Sequence, residues 1–105
     1  MSQQFVDTVQ HEVAEEKAGA LGRAGLRLQH ALERFRAHER RAHAEQRSHA
    51  KRERLLWDLA ERVESFIVQR EACGLRDSRC ALAFYGVPPE AIARVGARRP
   101  AGTSA

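Results

Sequence analysis

The sequence predicts an all-α fold: an antiparallel helical hairpin of two long helices, one or two short C-terminal capping helices, and pairing of two hairpins into a dimeric four-helix bundle. Two amphipathic stretches and the punctuation of the tail lead to it. From Leu55 to Cys73, the residues Leu55, Leu56, Leu59, Val63, Phe66 and Ile67 recur at helical spacing with Trp57 beside them. Asp58, Glu61, Arg62, Glu64, Gln69 and Arg70 fall mostly on the other side. From Phe5 to Phe35 a second stripe, including Val6, Val9, Val13, Ala24, Leu28, Ala31 and Leu32, drifts slowly around a 3.6-residue period. Beyond Cys73, glycines and the Pro88-Pro89 pair cut the chain into short pieces.

In chain order, Ser2 is the N-cap of a first helix over about 3–46. Gly19, Gly22 and Gly25 cost roughly 1 kcal/mol each relative to alanine in a helix interior. They either kink the helix at 19–22 or, with Ala18, Ala20 and Ala24, line a face that another helix approaches closely. After Phe35 the only apolar residues up to Arg54 are alanines, so helical propensity persists while any instruction for burial stops. The turn is expected near Arg47–Ala50, with Ser48 capping a second helix over about 49–73; a continuous helix through 36–54 is the alternative.

Antiparallel pairing then sets Phe35 near Leu55 and Leu56, Leu32 near Leu59, Leu28 near Val63, and Gly25 with Ala24 near Phe66 and Ile67. Small side chains meet large ones, as close packing requires. The first helix outruns the second, and the tail is expected to cover the excess from Phe5 to Ala18. Gly74 ends the central helix, Asp77 or Ser78 opens a short helix over about 78–85 carrying Cys80, Ala81, Ala83, Phe84 and Tyr85, and Gly86 stops it. A last segment over about 88–95 buries Ile92 and Val95. Residues 1–97 make one domain, and 98–105 form a flexible tail.

Composition narrows the function. A chain of 105 residues buries a modest fraction of its surface, so a second subunit would add to a thin core. The net charge of +4 is unevenly spread: residues 1–16 hold four acids and no Lys or Arg, whereas Arg34 to Arg54 holds eight basic and three acidic side chains. Two cysteines make no disulfide framework, and no secretory leader or spanning segment is visible, which points to the cytoplasm. No membrane association and no small-molecule substrate are implied.

Chemistry has little to stand on. His38, His43 and His49 are five and six apart, where a helical metal pair needs three or four, and His11 and His30 belong to no Glu-x-x-His motif. Cys73 and Cys80 read as small buried hydrophobes, and with Tyr85 and Asp77 they form no catalytic arrangement. No metal, cofactor or catalytic residue is expected. The chain reads as a non-enzyme that acts by protein–protein interaction, as a homodimer or an adaptor, with Val6, Val9, Val13 and Trp57 as the candidate interface. The alternative is an acidic or nucleic-acid partner held by Arg40, Arg41, Arg47, Arg52 and Arg54, with residues 77–96 as a degenerate helix-turn-helix.

Overall fold

The computed structural model describes residues 2–41 and 48–102. Those residues form four helices and no strand: α1 (Gln3–Glu39), α2 (His49–Ala72), α3 (Arg79–Tyr85) and α4 (Pro89–Ile92). Serines open both long helices. The Ser2 hydroxyl accepts from the Phe5 N–H and the Ser48 hydroxyl from the Lys51 N–H, both at 3.2 Å. Each satisfies one of the donors that a helix start leaves unpaired.

α1 stops at Glu39 with Arg40 as its C-cap, short of the expected 46. His38 is the last buried side chain of α1. Residues 42–46 of that expected extent, and Arg47 of the expected turn, lie outside the described residues. α1 also runs unbroken through its three glycines. Gly25 is the one that approaches other elements: a Cβ there would stand 3.2 Å from the Tyr85 hydroxyl and 3.6 Å from the Phe66 ring, whereas one at Gly19 would meet the Arg23 guanidinium of its own helix at 3.3 Å and one at Gly22 would meet nothing.

The core is the antiparallel seam. Ala24, Leu28, Ala31, Leu32 and Phe35 of α1 pack in one cluster with Leu56, Leu59, Val63 and Phe66 of α2. Glu39 pairs with Arg52, Gly25 meets Phe66, and the Cys73 thiol lies 3.5 Å from the Lys17 carbonyl oxygen. Each step back along α1 is matched by an equal step forward along α2, so one register holds over the whole shared length. Past Cys73, α1 runs on alone.

The tail takes a different path from the expected one. Gly74 adopts φ 80°, and α2 closes with the paired bonds Leu75 N–H to Arg70 O and Gly74 N–H to Glu71 O. The chain then turns back toward the other end of the hairpin, away from Phe5–Ala18. Tyr85 stacks edge-on against Phe66 at 5.5 Å, and the Arg36 guanidinium donates to the Tyr85 carbonyl at 2.6 Å. Leu82, Val87 and Ala91 join the core. The inner face of the tail is therefore shifted from the expected one: Phe84 and Ile92 are exposed, while Leu82 and Ala91 are buried. The molecule is a rod of 66 × 27 × 21 Å with a radius of gyration of 17.5 Å, against about 13 Å for a compact chain of this length.

Candidate interaction surface

The overhang of α1, from Gln3 to Glu16, carries an uncovered apolar strip. Phe5, Val9 and Val13 are 54 %, 41 % and 47 % exposed, and Val6 is half-buried. Spacings of three and four put Val6, Val9 and Val13 on one side of the helix. That side continues the seam on which α2 lies, because Val13 lines a cavity of about 500 Å³ together with Lys17, Ala72 and Cys73 at the point where α2 stops. Local pairs run along the arm: Gln3 with Asp7 at 2.9 Å, His11 with Glu15 at 2.8 Å and Glu16 with Arg23 at 3.1 Å.

Trp57 does not belong to this strip. It is 9 % exposed within the single chain, because Arg94 from the tail lies over its ring at 5.6 Å. Arg94 is itself anchored, donating to both Glu53 carboxylate oxygens at 3.0 and 3.1 Å and to the Glu90 carbonyl at 2.6 Å. The expectation that groups Trp57 with Val6, Val9 and Val13 as one candidate interface is thus corrected. The signal was weak but present, in Arg94 as the one arginine of the 88–95 segment and in Glu53, a carboxylate one turn before the tryptophan.

The basic segment is also divided. Arg52 is gripped by two carboxylates, Glu39 and Glu90, each at 2.8 Å. Its hydrogen bonds to Glu90 and then Glu39 raise its pKa above the usual arginine value, and the same bond holds the Glu90 carboxyl below its own. Arg52 therefore fastens the tail to both long helices. Arg40 and Arg41 are exposed and Arg54 is half-buried, while Arg47 lies outside the described residues. Arg34, Arg41 and Lys51 line a cavity of about 200 Å³ with His38 and Leu55.

Residues 77–96, the expected degenerate helix-turn-helix, form α3 and α4. α4 is a single turn, fully burying Ala91 against the body, which leaves little to project into a groove. Among the described residues, no group of three or more His, Cys, Asp or Glu is placed to hold a metal ion. No helix of the described residues is long and apolar enough to cross a membrane. Cys80 is exposed and Cys73 half-buried, contrary to the expectation of two buried thiols. Asp77 takes φ 54°, and hydrogen bonds from Arg79 hold its carboxyl down at about 2. A second apolar area surrounds Phe84, 87 % exposed at the rim of a cavity of about 600 Å³ lined by Gly22, Leu26 and Tyr85.

The fold is thus an all-helical hairpin with a docked tail and one bare helical arm. Neither the profiles of known protein families, nor characterised proteins, nor solved structures match the chain.

Proposed function

We propose that this protein acts without catalysis, by self-association into a homodimer through the bare arm of α1. The observation that carries the reading is the apolar strip Phe5, Val6, Val9 and Val13, which continues the core seam past the end of α2. A run of exposed apolar side chains on one helix side is the kind of surface that an interaction would cover. A core formed by only two long helices also gains from added buried area. The reading assigns the chain no reaction and no cofactor, and two free thiols fit a reducing compartment such as the cytoplasm.

The nucleic-acid alternative has less support. Arg52 is committed to Glu39 and Glu90, and α4 offers one turn. Light scattering at micromolar concentration decides between the readings. The expected mass is that of two chains, falling to one chain in the double variant Val9→Asp, Val13→Asp. A clean monomer for the unaltered chain defeats self-association, and a salt-sensitive mobility shift with duplex DNA would move the function to the basic end.

A further inference from the structure

Building on that reading, we infer that the occupant of the bare strip is the same strip of a second copy, laid antiparallel about a two-fold axis near Val9 and Gln10. Three observations converge on this arrangement. The first is length. The seat left empty past Cys73 is the segment Gln3–Glu16, roughly 21 Å at 1.5 Å per residue. The arm of a second copy has the same length, so each arm fills the seat the other leaves.

The second is direction. α2 lies antiparallel on the seam of α1, and the strip on the arm is an extension of that seam. A second arm in the antiparallel sense takes the place α2 would occupy had it continued. Val6 of each copy then faces Val13 of the other, and the two Val9 side chains flank the axis. The third is charge. Glu12, Glu15 and Glu16 fill the second half of the arm, while Gln3, Gln4 and Thr8 occupy the first half with Asp7 alone among them. Antiparallel pairing sets the three glutamates against the half that holds Asp7 as its one acid, and against the positive end of the partner's helix dipole. Parallel pairing stacks the three glutamates on their own copies, an arrangement that like charges oppose.

Disulfide trapping tests the arrangement in a Cys73→Ser, Cys80→Ser chain given one new cysteine, Val6→Cys or Val13→Cys. Under mild oxidation the equimolar mixture of the two variants gives a cross-linked product, limited by random exchange to about half of the chains. Either variant alone gives none, because like positions lie about 10 Å apart along the axis, beyond disulfide reach. Cross-linking of each variant with itself would mean parallel pairing and overturn the inference. A two-chain mass with no cross-link in any sample would overturn it too, while leaving self-association intact. A one-chain mass would remove both.

Discussion

The two halves of α1 make the same offer and meet different fates. From Ala24 to His38 its apolar side is covered by α2, backed at Gly25 and Arg36 by the docked tail, and Leu28 and Leu32 are fully buried. From Gln3 to Glu16 the same spacing of valines stands about half exposed. Amphipathic pattern alone does not bury a side chain; an opposing surface does. Full burial of a valine or leucine contributes roughly 1.5–3 kcal/mol, and the arm forgoes much of that. In the monomer it is held by its Ser2 cap, its backbone ladder and a few surface pairs, which places it at the low-stability end of the molecule.

The largest expected effect contrasts the halves directly. Leu59→Ala, on a residue with no exposed surface, should destabilise by about 2–5 kcal/mol. Val9→Ala on the arm should cost no more than about 0.5 kcal/mol at concentrations where the chain is monomeric. Urea denaturation of the two variants compares them, and similar losses would erase the distinction. Next is the clamp that covers the inner half. Arg52→Ala removes the bonds to Glu39 and Glu90, with an expected cost of about 1–2 kcal/mol, discounted because Glu90 is exposed. Amide exchange should rise in 87–95 and leave the arm unchanged.

A smaller effect sharpens the boundary. Gly22→Ala fills open space and should stabilise by about 1 kcal/mol through helix propensity. Gly25→Ala should gain nothing, since its methyl group must displace the Tyr85 hydroxyl. Equal gains at both sites, read from thermal midpoints, would show the tail to be loosely docked.

The smallest is a pH effect. Because Arg52 depresses the pKa of Glu90 in the folded state, the Glu90 contribution is complete above its ordinary value near 4.5 and fades as the pH falls through the folded value. Glu90→Gln should flatten that part of the stability profile. An unchanged slope between pH 5 and 3 would show that the pair contributes nothing.

Much of this organisation is legible without coordinates. Ser2 and Ser48 as caps, Gly74 and Gly86 as stops and the small-on-large register at Gly25 and Phe66 all follow from interactions a few residues long or from volume matching along one seam. The candidate strip was legible too, as Val6, Val9 and Val13. Trp57 was not separable from it, because its cover comes from Arg94 across the chain. The inner face of the tail was misread for a related reason. A helix of one or two turns has no reliable period, so Leu82 and Ala91 rather than Phe84 and Ile92 were chosen by what they landed on.

By itself, then, the sequence determined two long helices with their serine caps, the residues of the seam between them and a first helix that outruns the second, since each rests on local dihedral preference or on periodicity. Only the tertiary structure decided which apolar surface the tail would cover. That choice is a competition between distant segments, settled by the reversal at Gly74 and by ion pairs between tail and body: Glu90 with Arg52, Arg94 with Glu53, and Arg99 with Asp58 and Glu61. The tail went to the turn end of the hairpin, and the arm was left bare.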